Sequence, residues 1–395
     1  MPISLIILVL SLILLITYII LYWCSYVPIR PMSQLKQSNP TANASVQWPG
    51  LSVVIITHDS ESILRHTINS VACQQYPNFE IIVVNNASTD NTNDVIKRAV
   101  KQYPTLLRST HLPQNRNGFL HMTMATTLGV RAARKEWVVL LRPNSIPKSS
   151  FWLQNIAEAI NQGYDMCIGY NQYYGIDNSS WERCAIKWHR KAQVRNYRAI
   201  YRGKRCPIEA ENSNFAFRKQ DFLNNGGYGR WLNLPNYHEH PYTATFATTD
   251  STAMLMQPDA QVETLLPPIR ELWQTERQQI RKAYRRLPRI AKLRRHYYAL
   301  LSMFLYIATI ALLAGIYLAI FPLNNDTSAS IIEQYLILEH LPPIPVAVPC
   351  TFIVFVALLL IHFIYKAHCV RQDKQRLNIP LVNNPALLLD SDDYV

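Results

Sequence analysis

Three long apolar segments constrain the fold of this 395-residue chain more than any other feature. They run from Ile3 to Trp23, from Ala299 to Phe321 and from Ile344 to Tyr365, and none contains Asp, Glu, Lys or Arg. A helix needs about 20 residues to cross a bilayer, and backbone amides in lipid must pair within their own segment. The sequence therefore predicts three transmembrane helices. A cleaved signal peptide is the alternative for the first segment, but no basic residues precede it and no small-residue cleavage site follows it.

Basic residues around these segments predict the orientation. Lys282, Arg285, Arg286, Arg289, Lys292, Arg294 and Arg295 precede the second segment, and Lys366, Arg371, Lys374 and Arg376 follow the third. The loop 322–343 between them has no Lys or Arg. Because Lys and Arg favour the cytoplasmic side of a membrane, we expect this loop outside, and the central region and the tail in the cytosol.

The net charge of +13 is explained largely by the same residues. Basic residues beside membrane spans fix topology and meet anionic lipid, so membrane lipids are expected partners and nucleic acid is not. The seven cysteines are scattered, odd in number and without a C-x-x-C pair. This usage fits a reducing compartment and gives no sign of structural zinc. With no charged residue inside the spans, a transporter is disfavoured.

The sequence divides into a helix at 1–25, a linker at 26–49, a central domain at 50–285, a basic segment at 286–298, a helix at 299–321, an external loop at 322–343, a helix at 344–365 and a cytosolic tail at 366–395. In the first part of the central domain, strands and helices alternate. Strands are predicted at Leu51–Ile56, Phe79–Val84, Leu106–His111, Trp137–Leu141 and Asp165–Gly169, and helices at Glu61–Ala72, Asp90–Val100, Met122–Arg134 and Phe151–Ile160.

This alternation predicts an α/β domain whose mostly parallel sheet is covered by helices on both faces. Ligands of such sheets bind outside the carboxyl ends of the strands. We therefore expect the loops Thr57–Glu61, Asn85–Asp90 and Arg142–Pro147 to line one pocket.

Several motifs, in order, resemble those of family 2 glycosyltransferases. "SVVIITHDSESILRHTINSVACQQYPNFEIIVVNNASTDNT" resembles the opening of that family, "TLGVRAARKEWVVLLRPNSIPKSSFWL" its helix–strand unit that ends in D-x-D, and "NFAFRKQDFLNNGGY" a later motif. Trp273 and Arg277 stand where a W-x-x-Q-K/R-R helix is expected. The likeness covers about residues 51 to 285.

The resemblance implies a GT-A fold, which is Rossmann-like, and transfer of a sugar from a nucleotide-diphosphate sugar to a glycan or lipid acceptor. In the family, the D-x-D motif holds a divalent cation against the diphosphate, since hard cations on oxygen ligands stabilise an anionic leaving group. A further carboxylate acts as general base on the acceptor hydroxyl.

The chain departs from the family pattern at these functional positions. Arg142-Pro143-Asn144 replaces D-x-D, so we expect the family's Mg²⁺ or Mn²⁺ site to be lost and assign no metal ligand. Asn85-Asn86 ends the second strand where a carboxylate is common, and Thr123 stands where relatives have Lys. Tyr237–Thr243 replaces G-D-D-D-L-F-V, and the glycines of a later motif are missing from Glu209–Phe217.

The candidate site follows from these positions. Glu239 is the candidate base, with a solvated loop acid as the alternative. The candidate donor-binding residues are His58, Asp59, Glu61, Asn85, Asn86, Asp90, Arg142, Asn144, Asn214 and Arg277. Asp59 and Glu61 equally suit a helix N-terminus, and Asp90 is favoured as a helix cap. His238 and His240 are possible metal ligands without a third partner, and Arg277 equally fits the basic stretch before the membrane.

Arg142 leaves two hypotheses open. Its guanidinium can replace the cation by pairing with phosphate, which predicts a metal-independent glycosyltransferase on the cytosolic face. Alternatively, the joint loss of cation ligands, phosphate Lys and loop glycines indicates an inactive family member that acts as partner or regulator of another glycosyltransferase.

Overall fold

The computed structural model describes residues 3–26, 48–113, 122–176, 179–200, 210, 213–231, 239–266, 281–282, 285–287, 289–320 and 347–377. The helices are α1 (Ile3–Ser25), α2 (Glu61–Ala72), α3 (Thr92–Gln102), α4 (Met122–Ala132), α5 (Trp152–Asn161), α6 (Ser180–Ile200), α7 (Lys219–Asn224), α8 (Glu239–Phe246), α9 (Arg289–Ile320) and α10 (Ala347–Arg376). The strands are β1 (Leu51–Thr57), β2 (Phe79–Asn86), β3 (Leu107–Leu112), β4 (Trp137–Leu141), β5 (Ser145–Pro147), β6 (Met166–Gly169), β7 (Asn171–Tyr174), β8 (Phe215–Arg218), β9 (Thr252–Leu255) and β10 (Val262–Leu265).

The chain forms two compact units, and the first contains the apolar helices. It comprises Met1–Pro28 and Leu293–Asp373. Helices α1, α9 and α10 are long and apolar enough to cross a membrane, as predicted. Helix α9 begins at Arg289, ahead of the predicted start, and α10 runs on to Arg376, so both helices take in basic flanking residues. The loop 322–343, which the sequence predicts to be external, lies outside the described residues.

Small and polar groups join the helices of this first unit. A Cβ added at Gly315 of α9 would lie 2.9 Å from Leu8 Cγ of α1, so the two helices pack closely there. Tyr18 Oη and His362 Nε2 are 3.3 Å apart, between α1 and α10. Close packing at small residues and hydrogen bonds between helices are the interactions expected to hold helices together in lipid.

The second unit, Ile29–Lys292 with Lys374–Val395, contains the α/β domain. Its main sheet has the strand order β3-β2-β1-β4-β8-β6-β9, and its neighbouring strands are parallel except where β8 pairs with β4 and β6. The predicted mostly parallel sheet is therefore confirmed, and one antiparallel strand is added to it. A second sheet, β5-β10-β7, was not predicted from the sequence.

Apolar side chains alternate between the two faces of the main sheet. Val54 of β1 and Val84 of β2 pack with α4 in one cluster, whereas Val53 and Val83 belong to the other. Every residue of β1 is buried, as expected for a strand covered on both faces. Gly129 of α4 allows the closest approach, because a Cβ there would lie 2.5 Å from Val54 Cγ1.

The Q-x-Y-P-x-F-E motif that contributes to the family resemblance stabilises the fold. Gln74 Nε2 donates to Ser149 O at 2.9 Å, and Tyr76 Oη donates to Pro49 O at 2.6 Å. Glu80 accepts hydrogen bonds from Ser52 Oγ at 2.7 Å and from the backbone amide of Arg134 at 2.6 Å. Burial alone would raise the pKa of Glu80, but these bonds, together with the Arg108 guanidinium, lower it below its ordinary value.

Candidate functional site

The candidate site lies where β1, β2 and β4 end. Thr57 of β1 is in register with Asn85 of β2, and Ile55 of β1 is in register with Leu141 of β4. Because these strands are parallel, the loops that follow them leave the same edge of the sheet. The three predicted pocket loops therefore begin side by side.

The first two loops are held together by carboxylates. Asp59, at a positive φ of 45°, accepts hydrogen bonds through Oδ1 from the backbone amide of Thr89 at 2.6 Å and from that of Asp90 at 3.4 Å. Asp90 Oδ2 accepts in return from the backbone amide of Glu61 at 3.1 Å. Glu61 accepts from Asn91 Nδ2 through both carboxylate oxygens.

Asp90 also caps two helices. Its Oδ1 accepts from the amide of Thr92, the first residue of α3, at 3.0 Å, while its Oδ2 accepts from the first residue of α2. Burial raises the pKa of Asp90, but hydrogen bonds from Thr92 and from the Glu61 amide outweigh this effect and lower the pKa below its usual value. A carboxylate at a helix N-terminus is favoured by the local positive field. These contacts agree with the expectation that Asp90 acts as a helix cap. Its contact with a nucleotide-sugar donor remains a prediction.

The side chains of the two asparagines that end β2 also have partners nearby. Asn85 Oδ1 accepts from the backbone amide of Ser88 at 3.0 Å, and Asn86 Nδ2 contacts Met122 Sδ at 3.4 Å. His58 Nδ1 is 2.9 Å from Asn86 O, and its Nε2 is 3.2 Å from Asp59 Oδ2. His58 therefore bridges the first two loops at the surface.

The third loop does not offer a cation site of the family's kind. Arg142 directly follows β4 and is partly exposed, so a positive charge stands where the family has its first carboxylate. Asn144 Nδ2 donates to Leu265 O at 2.7 Å, and the amide of Leu265 donates to Asn144 O at 3.0 Å. Asn144 thus holds β10 against the loop. Residues of this type and placement do not fit a divalent cation.

Asn214 lies inside the domain, at 2% exposure. Its Oδ1 accepts from Trp152 Nε1 at 3.0 Å, and its Nδ2 donates to Ala260 O at 2.9 Å. A Cβ added at Gly169 would collide with the Asn214 side chain. These contacts favour a structural role for Asn214, although its predicted donor contact is not thereby tested.

Glu239 is fully buried at the first position of α8. This position differs from the solvated loop acid that sequence analysis left open as the alternative. Burial first, and then the Glu239 carboxylate, raise the pKa of Tyr228. His240 is also buried, whereas His238 and Arg277 lie outside the described residues. Within the part of the chain that the structure describes, no three His, Cys, Asp or Glu side chains are grouped to hold a metal ion.

Aromatic side chains around Glu239 were missed by sequence analysis. Tyr242 is 5.4 Å from Tyr228 and 5.3 Å from Phe222 between ring centroids, and Trp231 is 6.1 Å away. Tyr228 follows the Gly226-Gly227 pair of the "NFAFRKQDFLNNGGY" motif. That motif was the sequence signal from which the aromatic cluster could have been found. The carboxylate therefore lies beside an aromatic cluster with little access to water.

Comparison with known proteins gives three kinds of likeness. The sequence model described as glycosyl transferase family 2 matches residues 52–222. Glycosyltransferase GlyG of Streptococcus pneumoniae is 26% identical over 129 residues, 33% of this chain and 40% of that protein. An uncharacterized glycosyltransferase of Nostoc sp., alr2836, is 32% identical over 108 residues, 27% of this chain and 32% of that protein. The chain thus aligns with less than half of each of these two proteins.

Among solved structures, the mannosyltransferase PcManGT from Pyrobaculum calidifontis, in complex with GDP-Man and Mn²⁺, is similar at a TM-score of 0.50. The match covers 91% of this chain and 98% of that chain at 18% sequence identity. At this identity the likeness concerns the fold, and it confirms the predicted GT-A architecture.

Proposed function

Because residues 52–222 are a glycosyl transferase family 2 domain, we propose that the chain is a membrane-bound enzyme that transfers a sugar from a nucleotide-diphosphate sugar to a glycan or lipid acceptor. The observation that carries the proposal is the set of three loops at the carboxyl ends of β1, β2 and β4, with Arg142 on the third. This edge of the sheet is where nucleotides bind in open α/β folds.

Arg142 takes the place of the divalent cation in this proposal. A bound diphosphate brings several negative charges, and buried charge without a partner is costly. A guanidinium offers paired N–H donors that match phosphate oxygens. Thr123 is buried and uncharged, so it supplies no second cation from α4. Of the candidate donor-binding residues that the structure describes, Arg142 is the one with a permanent positive charge, so in this proposal it carries most of the electrostatic load on the diphosphate.

Glu239 supplies the base. A carboxylate in an environment with little water accepts a proton from an acceptor hydroxyl as the bond to the sugar forms. Tyr228 lies near enough to this group for the carboxylate to raise the pKa of the phenol, and the next residue, His240, is also buried. The acceptor is a glycan or a lipid, and membrane lipids and a second glycosyltransferase are further expected partners.

Titration with a panel of nucleotide sugars tests the donor site. We expect one of them to bind, and EDTA to leave its affinity unchanged because no cation is needed. Arg142→Ala should weaken that binding by roughly tenfold to a hundredfold, the worth of a charge-assisted contact of about 1.5–3 kcal/mol. Arg131→Ala, an exposed charge at the end of α4, is the matched control. Binding lost on chelation would contradict the role of Arg142.

The second candidate function is an inactive partner or regulator of another glycosyltransferase. It is favoured by one observation: Asn144, in the D-x-D position, is engaged with Leu265 of β10. Two results together would support this function over the first. The wild-type chain would bind no nucleotide sugar at millimolar concentration, and the Arg142→Ala variant would be as stable as the wild type.

The orientation belongs to the same proposal. The α/β domain and the tail face the cytosol, as the basic residues around α9 and α10 indicate. Single cysteines at Ser330 and Ser391, in a cysteine-free background, test it with a membrane-impermeant thiol reagent on intact cells. We expect the Ser330→Cys variant to be labelled and the Ser391→Cys variant to be protected. The reverse pattern, or labelling of both, would overturn the orientation.

A further inference from the structure

One face of the second sheet, β5-β10-β7, is buried. Ser145 Oγ and Thr264 Oγ1 are 3.0 Å apart on this side, and the His189 ring of α6 stacks on Tyr173 of β7 at 4.1 Å between centroids. Val262 of β10 belongs to an apolar core cluster. Successive side chains of a strand point to opposite faces, so the residues that alternate with these lie on the other face of the sheet.

This other face, which we call the outer face, consists of Ile146, Lys148, Gln172, Tyr174, Glu263 and Leu265. Glu263 is in register with Ile146 on one side and with Gln172 on the other, and Leu265 is in register with Tyr174. All of these side chains except Gln172 are partly exposed. Three short strands make the outer face about 10 Å wide and about 10 Å long.

The outer face begins at the third pocket loop. Asn144 directly precedes β5, its Nδ2 donates to Leu265 O at 2.7 Å, and the amide of Leu265 donates to Asn144 O at 3.0 Å. The antiparallel register that pairs Ser145 with Thr264 sets Asn144 opposite Leu265. The first row of the outer face therefore runs from Asn144 through Leu265 to Tyr174, beside the loop to which we assign the diphosphate.

The sheet is also held at its far end. Gln261, which precedes β10, donates from Nε2 to Met256 O at 2.9 Å and to Leu377 O at 2.8 Å. The Leu377 side chain is buried in the core of the α/β unit. Lys148 Nζ donates to Gln172 Oε1 at 3.2 Å. A binding surface on fixed strands keeps its side chains in place before a ligand arrives.

The outer face offers hydrogen-bonding groups beside an apolar surface. In the part of the chain that the structure describes, neither Tyr174 Oη nor the Glu263 carboxylate has a hydrogen-bond or ion-pair partner. Burial first, and then the Glu263 carboxylate, raise the pKa of Tyr174 above its ordinary value, so the phenol keeps its proton as a donor. Gln172 adds an amide, and Leu265 and Ile146 add apolar side chains.

This combination fits a neutral saccharide. A tyrosine ring packs against the C–H groups of a sugar, while hydroxyl, carboxylate and amide groups bond to the sugar hydroxyls. Glu263 and Lys148 give the outer face no net charge, so it does not attract an anionic lipid headgroup. A lipid chain would take the polar groups of Tyr174 and Glu263 out of water without giving them partners, which is costly.

We propose that the outer face binds a neutral glycan chain, which is the acceptor of the proposed transfer. The sugar that reacts lies nearest Asn144, and the units that follow it extend along β10 over Tyr174 and Glu263. The outer face is longer than one sugar ring, so a tetrasaccharide should bind more tightly than a monosaccharide. The role of the glycan as acceptor rests on the proposed function, whereas its binding is measured without a donor.

Saccharide binding by the full chain in lipid nanodiscs tests this inference, since nanodiscs avoid detergents with sugar headgroups. The probes are cellotetraose, chitotetraose and mannotetraose, each with its monosaccharide, and farnesyl phosphate represents a lipid acceptor. Saturation-transfer NMR and isothermal titration measure binding in the absence of nucleotide sugar. We expect at least one tetrasaccharide to bind, roughly tenfold or more tightly than its monosaccharide.

Glu263→Gln and Tyr174→Leu should each weaken that binding by roughly three- to tenfold. The first variant loses a charge-assisted bond and the second loses the aromatic ring, while both keep a side chain of similar size. Glu158→Gln and Phe151→Leu, at exposed positions in and just before α5, are the matched controls and should leave the affinity unchanged. Thermal midpoints of all four variants show whether they fold.

Failure of all three tetrasaccharides to bind the wild-type chain would overturn the inference. An unchanged affinity in both outer-face variants would also overturn it, because the saccharide would then bind elsewhere. Displacement of the tetrasaccharide by farnesyl phosphate would assign the outer face to a lipid instead. The donor titration fails separately: a chain that binds a tetrasaccharide but no nucleotide sugar would keep the glycan-binding face and lose the proposed transfer.

Discussion

Replacing Glu239 by Gln is expected to lower the release of nucleoside diphosphate from the donor by about 10²–10⁴-fold, the usual contribution of a general base. Glutamine keeps the size of the side chain and its place at the start of α8, but it accepts no proton. Turnover is followed with the nucleotide sugar that binds in the titration. The affinity for that donor should stay the same, because the base acts on the acceptor.

A matched variant separates this effect from a general loss of charge. Asp250→Asn removes one carboxylate from an exposed position close in sequence to α8 and should leave turnover unchanged. The thermal midpoint of Glu239→Gln is measured as well. If the variant turns over donor at the wild-type rate, Glu239 is not the base; if it loses donor binding, the residue belongs to the donor pocket.

Replacing Asn214 by Ala is expected to destabilise the α/β domain by about 3–4 kcal/mol, because two buried polar groups lose their partner. Trp152 Nε1 and Ala260 O would each lose a buried partner, and a buried polar group without a partner costs about 1–3 kcal/mol. For a domain of this size, the thermal midpoint should fall by roughly 10 °C. Intrinsic fluorescence during heating of the purified full chain measures it.

Asn224→Ala is the control for this second variant. Asn224 Oδ1 accepts from Gln220 Nε2 at an exposed position of α7, where water replaces the lost bond, so its midpoint should change little. An Asn214→Ala protein with an unchanged midpoint and lost donor binding would contradict the structural role. It would instead support the donor contact that the sequence predicts.

The regular elements could be predicted because their apolar patterns are local. The strands at Leu51–Thr57 and Trp137–Leu141 are short runs of buried residues that need no knowledge of distant partners. Strand β8 carries the similar pattern Phe-Ala-Phe, but its antiparallel direction depends on how the chain returns to the sheet. The three-residue β5 exists only through pairing with β10, so no local signal could reveal it.

The adjacency of the three loops was predictable, but their contacts were not. Parallel strands end at the same edge of a sheet, so the loops that follow β1, β2 and β4 could be grouped from the pattern alone. The partner of Asn144 lies 121 residues further along the chain, at Leu265. The partner of Asp59 is likewise evident only from the structure, because Thr89 lies in a different loop. A carboxylate or amide in a family motif therefore gave no indication of whether it holds a loop or a ligand.

The position of Leu377 has a consequence for how the protein is made. Its side chain completes the core of the α/β unit and its carbonyl accepts from Gln261, yet it is synthesised after the whole of α9 and α10. A ribosome that has finished Leu265 has not yet supplied this part of the interior. The domain therefore reaches its final state only after both later apolar helices have been synthesised. A fragment cut off before α9 for soluble expression would lack a core side chain and expose the Gln261 amide.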